Sequence, residues 1–167
     1  MSHPESVEPD VATAAAPSGA PAGIDPRAPR FSAAITAVLL LTVVVLSVAG
    51  LEVTAWALLT ALSAIFLWGA VAGVKRHPFG VLYRTFVRPR LAPPTELEDP
   101  RPPTFAQLVG FIVTIVGVVL GLFGVEYAVA IAAGFAFIAA FLNAVFDYCL
   151  GCQIYLLLVR ARLLQRA

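Results

Sequence analysis

Asp25-Pro26-Arg27-Ala28-Pro29-Arg30-Phe31 returns 74 positions later as Asp99-Pro100-Arg101-Pro102-Pro103-Thr104-Phe105. The shared pattern is D-P-R-x-P-x-F. The same offset carries Gly50 onto Gly124 and Glu52 onto Glu126 without a gap. Each copy then runs into a long, mostly apolar stretch. Self-similarity at a fixed period marks a chain built from repeated units. The chain therefore reads as two copies of one membrane hairpin, residues 24–90 and residues 98–164.

Composition supports the membrane class. Of 167 residues, 60% are hydrophobic and 13% charged, against about a quarter charged in a soluble domain. The net charge of +1 gives no field for nucleic acid, and none is expected as a partner. Arginine outnumbers lysine ten to one, which together with the Ala and Val richness suggests a GC-rich, actinobacterial genome. Residues 1–23 are rich in Ala, Pro, Ser and Gly and carry no apolar run. They read as a disordered tail rather than a cleavable signal, ahead of a membrane domain over 24–167.

Four stretches are long and apolar enough for one bilayer crossing each: residues 31–50, 53–74, 105–125 and 127–150, the last with its apolar part at Tyr127–Phe146. Within each pair the break is short, Gly50-Leu51-Glu52 and Gly124-Val125-Glu126, so each pair is an antiparallel helical hairpin. Arg27 and Arg30 precede the first span. Lys75, Arg76, Arg84, Arg88, Arg90 and Arg101 lie between the second and third. Arg160, Arg162 and Arg166 follow the fourth, and the two hairpin turns hold no Lys or Arg. The positive-inside rule puts both termini and the central loop in the cytoplasm. The expected fold is an all-α integral membrane protein of the cell (plasma) membrane, its two parallel, same-topology hairpin repeats related by a pseudo-twofold axis along the membrane normal.

Small residues let membrane helices approach. Gly69-x-x-x-Gly73, Gly117-x-x-x-Gly121 and the stripe Ala132, Ala136, Ala140, Ala144 are such seams, read first as packing within the bundle and second as a homo-oligomer contact. The offset maps Asn143 and Asp147 onto Gly69 and Gly73, so the two stripes are expected to face each other. Asp147 is the one acid at the edge of a span. Such a group is a functional candidate, or else a contact of headgroups or of an arginine of the central loop.

The fourth span ends in Asp147-Tyr148-Cys149-Leu150-Gly151-Cys152-Gln153, which holds both cysteines. C-x-x-C serves dithiol redox work or half a zinc site. His77 maps onto Gly151, and with Asp147 it would complete a metal set on paper, but no metal or cofactor is expected. If the fourth helix runs straight through, the thiols join Ile138, Leu142 and Val145 on an apolar face and are inert. If Gly151 breaks the helix, Cys152 starts a new segment near its positive end, with Lys75, Arg76 and His77 adding positive potential. A reducing cytoplasm argues against a resting disulfide. In the central loop, Arg84, Arg88 and Arg90 suit anionic membrane lipid or an anionic protein partner. Its second half is stiffened by Pro89, Pro93, Pro94, Pro100, Pro102 and Pro103.

Several long motifs carry a resemblance. They are D-P-R-x-P-R-F at 25–31, K-R-H-P-F-G at 75–80, V-R-P-R-L-x-P-P-x-E-L-E-D-P-R-P-P-x-F-A-Q at 87–107 and C-L-G-C-Q-x-Y at 149–155. Over residues 24–160 the chain resembles the actinobacterial membrane family catalogued as domain of unknown function 4395. The resemblance implies company with thioredoxin-like and sulfurtransferase (rhodanese-type) proteins, and no established activity.

Three functions follow as expectations. The first is thiol-disulfide or sulfur-transfer chemistry with a cytoplasmic thioredoxin-like or sulfurtransferase partner. Cys152 is then the exposed thiol, Cys149 the resolving one, and His77 or Arg76 the local cation. The second is a non-enzymatic scaffold with inert cysteines. The third is a small transporter active as an oligomer.

Overall fold

The computed structural model describes residues 23–163. Residues 1–22, which hold nearly all of the tail read as disordered, lie outside the described residues, as does Arg166. The α-helices are α1 (Arg27–Val48), α2 (Glu52–Ala72), α3 (Pro78–Leu82), α4 (Arg101–Leu122), α5 (Ala128–Phe146) and α6 (Leu150–Arg160). Of these, α1, α2, α4 and α5 are long and apolar enough to cross a membrane. At 1.5 Å per residue, some twenty residues match the roughly 30 Å hydrocarbon layer.

The D-P-R box starts the first helix of each pair. The Asp25 carboxylate accepts the Arg27 backbone N–H at 3.0 Å, and Asp99 accepts that of Arg101 at 2.9 Å. Each carboxylate satisfies a donor that the first turn leaves without an intrahelical partner. Both helices therefore begin four residues before the apolar stretch does, because proline is at home in a first turn. The hairpin turns also match. Gly50 (φ 78°) and Gly124 (φ 74°) take the left-handed conformation. Around Gly50, Leu51 N–H bonds the Leu46 carbonyl at 2.9 Å; around Gly124, Val125 N–H bonds the Leu120 carbonyl at 3.0 Å. This is the Schellman closure that glycine favours.

The helices form a ring in which α1 packs chiefly on α5 and α2 on α4, with the hairpin contacts α1/α2 and α4/α5 closing it. Leu40, Val43, Leu59, Leu62, Val118 and Ala133 fill the interior. Outward-facing side chains are large and apolar, among them Val71, Ile131 and Phe135, as a lipid-facing surface requires. Gly117 packs on Ala132 and the Ala128 carbonyl, and Gly121 on Val129 and Trp56, so this pair is a seam inside the bundle. The stripes of α2 and α5 do not face each other as expected. Gly69 faces His77 and Gln107 instead, because α4 and not α5 is the main neighbour of α2.

Each hairpin is followed by a short segment folded back under its first helix. Behind α2, α3 continues as a π-turn over Tyr83–Val87 and a 3-10 turn over Arg88–Arg90, and packs on α1. Behind α5, α6 packs on α4. The phenylalanine of each D-P-R box meets a tyrosine of the segment: Phe31 meets Tyr83 at 5.6 Å between ring centroids, and Phe105 meets Tyr155 at 5.7 Å. The two D-P-R boxes are stitched together just upstream. Ile24 and Glu98 exchange both backbone hydrogen bonds as an isolated antiparallel bridge.

Candidate functional site

The fourth span is not continuous to residue 150. It stops at Phe146, and Asp147 turns the chain with φ 58°. At the offset-equivalent position, Gly73 ends α2 with φ 80°. The break therefore comes before Gly151, and the new helix starts at Leu150. Cys149 occupies its N-cap, with extended backbone (φ −84°, ψ 100°), and its Sγ accepts the Cys152 N–H at 3.3 Å. This one geometry decides between the straight and broken alternatives, and it moves the capping thiol from Cys152 to Cys149. The two cysteines are joined as a disulfide, contrary to the expectation for a reducing compartment, with Cα atoms 5.2 Å apart. The first turn of a helix holds C-x-x-C sulfurs within bonding reach, since 4.4–6.8 Å is the usual Cα separation.

Gly151 lets α6 lie against α4. A Cβ there would sit 2.6 Å from the Ala106 Cα. That contact brings Cys149 to the wall of a cavity of about 560 Å³ enclosed by the ends of α1, α2, α4 and α5 and the two folded-back segments. His77 lines the same cavity and is 3% exposed. Burial without a charged partner pushes its pKa down to about 4, so the ring is neutral near pH 7. Among the described residues its Nδ1 has no hydrogen-bond partner, nor has Oε1 of Gln107, another lining residue. Both side chains converge over Gly69, where a Cβ would lie 2.7 Å from His77 Cδ2 and 2.9 Å from Gln107 Cγ. Asn143 and Thr36 add further polar groups to walls otherwise made largely of Phe66, Val109, Val113 and Ile154.

Of the residues singled out from sequence, the fold brings His77 and Cys149 to one cavity. Cys152 stands half-buried behind Cys149. Asp147 is turned away. It is largely exposed, its carboxylate is 3.7 Å from Arg30 Nε, and it is absent from the lining. The arginine it meets belongs to the first D-P-R box, not to the central loop. Arg76 is exposed, and Trp68 donates to its backbone carbonyl at 3.1 Å. Among the described residues no three of His, Cys, Asp and Glu come together as metal ligands. Gln107 was not singled out, although it is the one amide in a span otherwise free of strongly polar groups, and that is the signal that finds it.

A second buried polar cluster ties the termini of the segments. Asp25 accepts Arg27 Nε at 3.0 Å, Arg27 Nη2 at 3.2 Å and the Tyr83 hydroxyl at 3.0 Å. Burial works to raise its pKa, but the hydrogen bonds from Arg27 and Tyr83 outweigh it and hold the carboxyl below its usual value. Glu98 is pushed the other way, by burial first and then by the charges of Asp147 and Glu96.

Neither a curated protein nor a solved structure matches the chain. Residues 24–160, which hold both D-P-R boxes, all four long helices, the cavity and the C-x-x-C, match one family along their length, so this chain belongs to the family described as Domain of unknown function (DUF4395).

Proposed function

We propose that the protein is a membrane-bound thiol-disulfide exchanger whose working pair is Cys149 and Cys152. The observation that carries this reading is the capping position of Cys149 Sγ at the start of α6, bonded by the Cys152 N–H. In the dithiol form the same N–H and the positive end of α6 favour a Cys149 thiolate, the nucleophilic species. Cys149 attacks one sulfur of a partner disulfide and expels the other as a thiolate, which takes up a proton. Cys152 then attacks Cys149 Sγ and releases the second partner sulfur. The partner gains two electrons and two protons, and the pair closes to the disulfide. The reverse sequence reduces the pair. An adjacent second thiol suits exchange better than sulfur transfer, because it would resolve a persulfide on Cys149 as soon as one formed.

We place the pair on the cytoplasmic side of the plasma membrane of an actinobacterial cell, facing a thioredoxin-like or sulfurtransferase partner. The arginines flanking the spans support that side. Two parallel hairpin repeats about a pseudo-twofold axis account for the matching turns, for the paired contacts α1/α5 and α2/α4, and for the bridge between Ile24 and Glu98, residues 74 positions apart.

The test is pulse alkylation of reduced protein in native membranes across pH, with Cys149→Ser and Cys152→Ser variants. The expected midpoint for Cys149 in the Cys152→Ser variant is about 6–7, against about 8.5 for an ordinary thiol. Absence of labelling until the protein is unfolded in detergent would refute the exchange reading and leave the scaffold.

A further inference from the structure

We propose that the cavity beside Cys149 binds a lipid-soluble quinone, which receives the two electrons of the dithiol. This rests on the exchange reading above and adds a membrane-soluble acceptor to the partner disulfide named there.

The cavity lies among membrane-spanning helices and holds about 560 Å³, within the range of small-molecule sites. Its walls are mainly apolar, so they suit a flat ring with an alkyl tail. Inside it stand two uncharged groups that both donate and accept, His77 and Gln107. One atom of each, His77 Nδ1 and Gln107 Oε1, is buried and has no partner among the described residues. A buried polar atom without a partner is costly, and a ligand carrying oxygen at the ring edge would relieve that cost. A quinone carbonyl needs donors and a hydroquinone hydroxyl needs acceptors. A neutral imidazole and a carboxamide serve both states. The charged lining residues are Asp25, Lys75, Arg84 and Arg88, and the three cations sit on the same folded-back segment as His77, with Arg84 donating to the Lys75 carbonyl. An anionic headgroup would seek those cations rather than two neutral side chains.

Cys149 completes the site. Its thiolate adds to the quinone ring, and Cys152 displaces the ring from Cys149 Sγ as the disulfide forms. The dithiol loses two electrons and two protons, and the quinone takes up both as hydroquinone. A cytoplasmic dithiol partner then reduces the disulfide for the next cycle.

Decylubiquinone is a suitable probe, since its fully substituted ring resists permanent arylation by thiols. Binding is read in the purified Cys149→Ser/Cys152→Ser variant as a saturable rise in unfolding temperature. His77→Gln and Gln107→Leu, made separately, are each expected to raise the half-saturating concentration about tenfold or more. Dodecyl phosphate, an anionic amphiphile, is expected to give no rise that depends on His77. Electron transfer is read in reduced wild-type protein as loss of one decylubiquinone per dithiol. Absence of a saturable rise with decylubiquinone, or a His77-dependent rise with dodecyl phosphate alone, overturns the quinone site. If reduced protein reacts with oxidised dithiothreitol yet consumes no quinone, the electron step is refuted and the exchange reading stands. If it reacts with neither, the exchange reading falls, and the electron step with it.

Discussion

Ile24 and Glu98 donate to each other's backbone carbonyls at 2.9 Å in both directions. Each residue immediately precedes a D-P-R box, so the bridge clamps the starts of α1 and α4 together. In the proposed pseudo-twofold arrangement a reciprocal bond between equivalent residues lies on the axis itself.

Glu98→Pro removes one of these two donors. The expected loss is about 1 kcal/mol or somewhat more, read as a drop of a few degrees in unfolding temperature in nanodiscs. Glu98→Gln keeps the backbone bond and is expected to stay within about 0.5 kcal/mol of wild type.

The two box aspartates begin their helices in the same way but sit in different surroundings. Asp25 is buried and also holds Arg27 and Tyr83, whereas Asp99 is exposed. Asp25→Ala is expected to cost about 2–3 kcal/mol, since it leaves the buried Tyr83 hydroxyl without its acceptor and breaks the Arg27 pair, the guanidinium keeping only the Ala92 carbonyl. Asp99→Ala loses only the turn bond, at about 1 kcal/mol. Equal losses in thermal unfolding would show that the Asp25 cluster contributes nothing beyond its helix start.

Asp147 holds a left-handed backbone, as does Gly73 at the position 74 residues earlier. Asp147→Gly removes the backbone strain and an exposed ion pair with Arg30, two small effects of opposite sign. The net change expected is within about 0.5 kcal/mol. Asp147→Val puts a β-branched residue at φ 58° and is expected to cost about 1–2 kcal/mol. Because this turn sets where α6 begins, the valine variant should also change the alkylation rate at Cys149.

His77 makes stability depend on acidity. Above pH 6.5 the imidazole is neutral in both folded and unfolded chains and contributes nothing. Between pH 6.5 and about 4 only the unfolded chain takes the proton, so stability falls as pH falls. Asp25, with its pKa lowered, loses its contribution only as pH drops below about 4. The unfolding temperature should thus decline from pH 7 to 4.5 in wild type and flatten over that range in His77→Gln. An unchanged slope in the variant would show that His77 is not the titrating group.

The four long apolar helices and the two hairpin turns were legible in the residues themselves, although the first helix of each pair starts four residues ahead of the expected span. Each depends on neighbours close in sequence. An uncharged run of about twenty residues must span if it inserts, a glycine permits a positive φ, and an aspartate two positions ahead reaches a free N–H. The end of the fourth span was not legible. Asp147 favours a left-handed turn only slightly more than other residues do, and continuing the helix through Tyr148 was equally acceptable locally. The fit of Gly151 against Ala106 tips that balance, and it is a contact between α6 and α4.

The sequence by itself determined four helices long and apolar enough to cross a membrane, joined in pairs by short glycine turns, with a C-x-x-C after the fourth. Tertiary structure alone decided which thiol caps a helix, that His77 is buried and neutral, and that Gln107 joins it over Gly69. The physical reason is that lipid rewards every apolar helix face almost equally. Which helix lies beside which is settled by close fits such as Gly117 on Ala132, and those fits set where α3 and α6 fold back. The cavity beside Cys149 exists only once they have.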